Sequence, residues 1–340
     1  MLRPPVELMR AAGVPELPLP RMCRGGCAYE PKWDGWRAAA FVRAGGVFLQ
    51  SRSSKPLAPY FPDVVAHLSE LPAGTVLDGE LIFFDQRAGR TSFAALHRRV
   101  TAGRGLRREV AARPATFVAF DLLHDESGDL RDLPLAQRRP RLEELLAGAP
   151  AALPVCPQTG DRDEALLWLD AYVPLGCEGL VVKDRAGRYR RTGWWKYKVR
   201  DTVEAIVGGV AGDLGHPTAL LLGRRDRHGR LRYVGSTTPL TAPQRQEIAQ
   251  HAKAVAPGGR HPWPQPLPAA WLGRFDRAEP LPYVPVRPDV VAEVEVDQAF
   301  ENGRWRHPVR HRRVRADLRP ADVARWEVDA VTPARAATRR

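Results

Sequence analysis

Residues 30–37 read Glu30-Pro31-Lys32-Trp33-Asp34-Gly35-Trp36-Arg37. A lysine stands between a proline that stiffens the chain and an Asp-Gly pair that turns it. A lysine amine becomes a covalent nucleophile once deprotonated. Its free pKa of ~10.4 leaves too little neutral amine at physiological pH, so nearby cations or burial must lower it. Taken alone, the motif is also an ordinary surface turn. Lys32 gains weight from four further motifs downstream in the chain.

The second motif is Asp78-Gly79-Glu80 inside VLDGELIFFD, residues 76–85. As a strand, alternate residues share a face, so Asp78 and Glu80 point one way while Leu77, Leu81 and Phe83 point the other. A carboxylate on an otherwise apolar strand is costly without a partner or a task. The task here is ribose binding or metal binding; the structural alternative is a pairing with arginine. Phe120-Asp121 is the third, in FVAFDLL (117–123), where the aromatic ring at a strand end offers a stacking face to a base or simply fills the core. Glu178-Gly179-Leu180-Val181-Val182-Lys183 and Trp194-Trp195-Lys196-Tyr197-Lys198-Val199 complete the series. In the last of these, Trp194, Lys196 and Lys198 share one face, and two lysines projecting together suit a polyphosphate. Glu178 and Lys183 have opposite parity. They face one cleft only if the strand bends or Glu178 lies just before it. There is no Walker loop, no dinucleotide fingerprint and no HExxH zinc motif, so side chains must hold any phosphate.

The order EPKWDGWR, SRSSK (51–55), LDGE, FVAFDLL, EGLVVK and KYK resembles the covalent nucleotidyltransferase superfamily of ligases and capping enzymes. Within it the chain is most similar to the compact bacterial ATP-dependent DNA ligases of the ligase C type, from about residue 25 to about residue 323. The resemblance implies that Lys32 forms a lysyl-AMP bond. It places Glu30 beside adenine, Phe120 on the adenine face, and Arg37 and Arg52 on ribose, phosphates or the nick 5′-phosphate. Glu80 would bind ribose and help hold metal, Glu178 would be the second metal-side carboxylate, and Lys183, Lys196 and Lys198 would hold phosphates. It implies ATP as co-substrate, Mg²⁺ or Mn²⁺ as metal, and nicked duplex DNA as partner, with separate polymerase or primase chains supplying other repair steps. The family's Arg-x-Asp-Lys motif near the C-terminus, which orients the leaving pyrophosphate, matches Arg315-Ala316-Asp317-Leu318 with leucine replacing the lysine. Arg313, Arg315 and Asp317 are the candidates for that role.

The fold expectation is α+β: a lead-in (1–28), an antiparallel-sheet adenylation domain (29–200), an OB-fold β-barrel (201–325) and a tail (326–340). In the first domain, VLDGELIFFD and TFVAFDLL read as buried strands, and EELLAGAP and DEALLWLDAYV as helical. In the second, TVEAIVGGVAG, TALLLGRRD, RLRYVGSTT and DVVAEVEVDQ read as short strands. They surround one helix in TAPQRQEIAQHAKAVA (241–256), capped by Thr241.

The net charge of +13, from 52 Lys and Arg against 39 Asp and Glu, favours polyanionic partners. An arginine-rich solvated surface accounts for the same sum. Cys23, Cys27, Cys156 and Cys177 form no paired CxxC knuckles and read as free thiols of a reducing compartment. His307 and His311 lie among arginines and read as basic surface. With no apolar run of ~20 residues and no signal-type leader, the sequence predicts a soluble, cytoplasmic monomer with no membrane partner. The residues ahead of Lys32, about thirty, are too few for the extra domain of NAD-dependent relatives. The remaining alternatives are an ATP-dependent RNA ligase, a GTP-using capping enzyme, and a DNA-binding OB scaffold without chemistry.

Overall fold

The computed structural model describes residues 2–190, 192–256, 258–272 and 279–327. The chain divides into two units, Met1–Val199 and Arg200–Arg340. The first unit runs β1 (Ala12–Val14), β2 (Cys27–Trp33), β3 (Trp36–Arg43), β4 (Gly46–Ser51), α1 (Pro62–Leu68), β5 (Val76–Ile82), β6 (Phe84–Asp85), β7 (Arg90–Thr91), α2 (Phe93–Thr101), α3 (Leu106–Ala112), β8 (Thr116–Asp125), β9 (Gly128–Asp129), α4 (Leu135–Leu145), α5 (Arg162–Tyr172), β10 (Cys177–Asp184) and β11 (Trp194–Lys198). The second runs β12 (Arg200–Gly212), β13 (Pro217–Arg225), β14 (Leu231–Ser236), α6 (Ala242–His251), β15 (Val284–Pro285), β16 (Val291–Asp297), β17 (Phe300–Glu301), β18 (Arg304–Trp305) and β19 (Arg310–Val314).

Two large sheets build the first unit, in the orders β1-β11-β10-β2 and β4-β3-β5-β8-β9, with β6 and β7 pairing apart from them. Side-chain alternation decides what each face does. On the five-stranded sheet, Ala38, Ala40, Leu49, Leu77, Leu81 and Phe117 pack against Val64 and Leu68 of α1, Leu96 of α2 and Leu142 of α4. The opposite face carries Ala39, Phe41, Val76 and Leu123, which meet Val6, Leu8, Met9, Tyr189 and Trp194. On the four-stranded sheet, Tyr29, Leu180 and Val182 pack against Ala165 of α5, leaving the other face for the site. The lead-in is part of this architecture. Residues 12–14 pair in parallel with 195–197 of β11, and the Gln50 side chain exchanges hydrogen bonds with the Val6 backbone.

A disulfide joins Cys23 and Cys27, whose Cα atoms are 5.3 Å apart, while Cys156 and Cys177 are free and buried. This corrects the expectation of four free thiols. A turn inside the loop, closed by Gly26 N–H to Cys23 O at 3.2 Å with Gly26 at φ +82°, brings the pair within bridging distance, which spacing alone does not reveal.

In the second unit the strand order is β14-β13-β12-β16-β19, with β15 added to β12. Val207, Val210, Leu220, Leu222, Val234 and Val294 form its core with Ile248 of α6. Among the described residues no sheet closes into a barrel; edge strands β14 and β19 meet only through an isolated parallel bridge, Thr237 to Val309. The helix starts at the expected Thr241 cap, whose backbone N–H donates to Gln244 Oε1 at 2.9 Å. It stops at His251, short of the sequence expectation, because Ala254 turns into a bridge with Val286. His311 is buried and bonded to Glu247, so it is not basic surface. Of the expected tail, Trp326 is anchored to Arg225 O and Gly303 O. Residues 328–340 lie outside the described residues.

Candidate active site

The Asp34-Gly35 connection carries the chain from β2 in one sheet to β3 in the other, so Lys32 and Arg37 arrive on facing sheets. Gly35 is required by close approach, since a Cβ there would lie 2.1 Å from Leu81 O. A strap across the site ties the sheets together, bridging Ala119 to Val155 and Tyr29 to Thr159. The cleft face of the four-stranded sheet presents Glu30 and Lys32 from β2, Lys183 from β10, and Trp194, Lys196 and Lys198 from β11.

Lys32 Nζ donates to Glu178 Oε2 at 2.5 Å, and Lys198 Nζ reaches the same oxygen at 3.1 Å. The parity conflict between Glu178 and Lys183 is resolved by a bulge. The register against β2 shifts between Cys177 and Leu180, and Gly179 has φ +146°. One irregular residue re-aims Glu178 to the face that Lys183 occupies. Burial works against charge on Lys32, but Glu178, Glu80 and Asp34 outweigh it, and the pKa is raised. This corrects the expected lowering: the acidic neighbours win over burial. Lys196 moves the other way. Its pKa is lowered by burial and then by Lys32, Lys198 and Arg52. Arg52 itself sits exposed in the turn after β4.

Glu30 is buried and held from three sides. Lys183 Nζ lies 2.7 Å from Oε2, Gln158 Nε2 donates to Oε1 at 2.7 Å, and Arg139 Nη1 is 3.7 Å away. Lys183 also donates to Phe120 O at 3.0 Å and lies over the Phe120 and Trp194 rings. It is only 1% exposed, so in this structure it anchors Glu30 rather than offering a free charge to phosphate.

Asp78 and Glu80 share a face as their parity requires, with different fates. Asp78 is fully buried and accepts both Nε (3.0 Å) and Nη2 (2.6 Å) of Arg37, plus the Tyr189 hydroxyl at 2.6 Å. Arg37 also donates to Met9 O. Asp78 thus takes the arginine-paired alternative, and Arg37 is committed to it. Glu80 makes no hydrogen bond through its carboxylate among the described residues. Burial pushes its pKa up to about 8 against the pull of Lys32 and Arg37. Directly behind Phe120, Asp121 and Arg138 form a fully buried two-pronged pair at 2.8 Å. Of these supporting groups, Arg138, Gln158 and Tyr189 carried no sequence signal, whereas an aspartate in the apolar run FVAFDLL was a clue that a buried cation waited nearby.

In the second unit, Arg315 grips Asp317 at 2.9 and 2.8 Å and also reaches Glu204 and Glu293. The Arg315 hydrogen bond lowers the Asp317 pKa to about 2. Arg313 pairs with Glu293 at 3.0 Å. Leu318 packs against the apolar cluster around Tyr233, Trp263 and Val323, which accounts for an apolar residue at that position.

Around Lys32, Glu80 and Glu178 are candidate donors for a cation, with the Asp34 carboxylate also near enough to act on Lys32. Hard oxygen donors, one of them carrying a raised pKa that a nearby cation would relieve, suit Mg²⁺ or Mn²⁺. Among the described residues no helix is long and apolar enough to cross a membrane.

Two family models match the chain. The one described as the ATP dependent DNA ligase domain covers residues 13–198, and that of the ATP dependent DNA ligase C terminal region covers residues 214–318. The chain is 31% identical to DNA ligase C of Mycobacterium tuberculosis, covering 93% of this chain and 92% of that protein. It is 32% identical to DNA ligase C2 of Mycolicibacterium smegmatis, covering 92% and 91%. A solved Lig E DNA ligase shares the fold, with a TM-score of 0.54 at 18% identity, covering 91% of this chain and 99% of that one.

Proposed function

The chain belongs to the ATP-dependent DNA ligase family, and from that premise we propose that it seals nicks in duplex DNA through an AMP carried on Lys32. The observation that carries the assignment of the nucleophile is the Lys32–Glu178 contact, held beside Glu80 on a cleft lined by Phe120, Trp194, Lys196 and Lys198. Lys32 Nζ gives a proton to Glu178 Oε2, its partner at 2.5 Å, and attacks the α-phosphorus of ATP as the bond to pyrophosphate breaks. The 5′-phosphate oxygen at a nick then attacks the same phosphorus, and the lysine leaves and regains its proton. Last, the 3′-hydroxyl attacks the activated 5′-phosphate and AMP departs.

Glu178 orients the Lys32 amine, holds it charged before ATP arrives and is placed to take its proton. Glu80 and Glu178 would hold Mg²⁺ or Mn²⁺, which supplies neutralisation of phosphate charge. Lys196 and Lys198 face the polyphosphate, with Arg52 at its exposed side. Phe120 stacks on adenine, and Glu30, fixed by Lys183 and Gln158, accepts from its amino group. Arg37 acts by holding Asp78 rather than by touching phosphate. Arg313, Arg315 and Asp317 are assigned to the leaving pyrophosphate. We infer that residues 201–325 form an OB-type barrel, a reading supported by the bridge between its two edge strands.

A competition of ATP against GTP for self-labelling, with subsequent presentation of nicked DNA or nicked RNA, tests the proposal. Labelling by ATP and discharge by nicked DNA with formation of a sealed strand is the expected result. Labelling by GTP, or discharge by RNA alone, overturns it.

A further inference from the structure

The arginines of the two units are treated differently. In the second unit, the run 310–315 is neutralised locally: Arg310 and Arg312 lie near Glu295, Arg313 and Arg315 near Glu293, and Arg315 also near Glu204 and Asp317. In the first unit, residues 98–113 read RRVTAGRGLRREVAAR. Two of its arginines are structural. Arg99 is buried against Asp63 with bonds of 2.7 and 2.9 Å, and Arg113 pairs with Glu109. The other four, Arg98, Arg104, Arg107 and Arg108, are exposed and form no ion pair with any described residue.

Their spacing gathers them. Arg104 lies in a 3₁₀ turn (Gly103–Gly105) that runs straight into α3. Arg107 and Arg108 stand at i+3 and i+4 from it, the positions that share a helix face. Like charges at that spacing oppose helix formation, so the cluster favours an external anion. The element is rigidly joined to the site. Arg99 fastens α2 to α1, and Phe93 and His97 of α2 pack on Trp36, four residues beyond Lys32, at ring separations of 5.8 and 6.1 Å.

We propose that the α2–α3 ridge, through Arg98, Arg104, Arg107 and Arg108, is a duplex-phosphate binding surface of the first unit that holds DNA flanking the nick. This rests on the ligase reading for its choice of DNA, but its evidence is the unneutralised ridge itself. A ridge of guanidinium groups on a short helix presents no pattern for base edges, so it grips the backbone without regard to sequence.

The test compares the full chain with the triple variant R104Q/R107Q/R108Q and with the charge-matched control R3Q/R21Q/R43Q. The melting temperature of each confirms folding. Equilibrium binding to a nicked duplex with a 5′-phosphate is measured from about 50 to 200 mM salt, a range over which phosphate contacts dominate the response. The ridge variant is expected to bind at least tenfold more weakly at low salt, with its log–log salt slope shallower by about 2 to 3, near 0.9 per lost contact. The control is expected to keep the wild-type slope. Equal loss in both variants, or no loss in the ridge variant, overturns the ridge. Whether Lys32 takes AMP is read separately in the same samples, so failure of the ligase reading is distinguished from failure of this one.

Discussion

Gly179→Ala tests how the site is built. The glycine has φ +146°, and a Cβ placed there would meet Tyr197 O at 2.0 Å and Lys198 Cα at 2.8 Å. Both are backbone atoms of the neighbouring strand, so neither can rotate away. A positive φ of this kind costs an alanine about 1–3 kcal/mol. Relieving the oxygen contact requires a further backbone shift of about 1 Å in β10 or β11, since real Cβ contacts stay beyond about 3 Å. A total near 3 kcal/mol lowers Tm by about 6–12 °C for a unit of this size. The functional loss is larger than the fraction unfolded. Straightening the bulge turns Glu178 away from Lys32 and Lys198, and a displacement of about 1 Å in a positioning group costs on the order of 100-fold in rate. Thermal melts combined with single-turnover self-labelling by ATP, at a temperature where the variant is folded, measure both. A variant within about 2 °C of wild type that labels at the wild-type rate refutes the role assigned to the bulge.

The same geometry sets the behaviour of other residues. Glu80, raised to about 8 from 4.5, keeps its proton in the folded chain across a window where the unfolded chain has released it. Stability therefore falls as pH rises through that window, and Glu80→Gln removes the loss. The variant should melt with wild type at about pH 4.5 and be more stable at about pH 9, by about 4 kcal/mol at about 1.36 kcal/mol per pKa unit; a pH-independent difference contradicts this. Arg138→Leu strands Asp121 in the core and should cost about 3–5 kcal/mol in denaturant unfolding, whereas a loss below about 1 kcal/mol excludes a buried ionised pair. Phe120→Ala should raise KM for ATP about 3- to 10-fold, since a stacked ring is worth about 0.5–1.5 kcal/mol, with little change in nick binding. An unchanged KM removes Phe120 from the base site.

The sequence carried the periodic parts of this molecule and not the irregular ones. The alternation in VLDGELIFFD placed Leu77 and Leu81 in the core and Asp78 and Glu80 opposite, as found. It could not say that Arg37 would take Asp78 and leave Glu80, because that choice depends on register between β3 and β5 and on Tyr189, more than a hundred residues away. The Trp194–Lys196–Lys198 face was equally legible. The bulge at Gly179 was visible only as a parity conflict. Lys183 read as a phosphate ligand because its nearest carboxylate, Glu30, lies far off in sequence and reaches it only through antiparallel pairing of β2 with β10. The pairing of residues 12–14 with β11 left no mark in the sequence, since three residues of parallel edge strand have no period to detect.

Everything proposed for the cleft depends on Lys32 being the residue that takes AMP. Incubation with labelled ATP and divalent metal, denaturing separation and mass mapping of the labelled peptide, with Lys32→Ala alongside, decides it. AMP on Lys32 alone, absent in the variant and discharged by nicked DNA, is the expected result. An adduct on Lys196 or Lys198, or none at all from protein verified free of bound AMP beforehand, rules Lys32 out as the nucleophile.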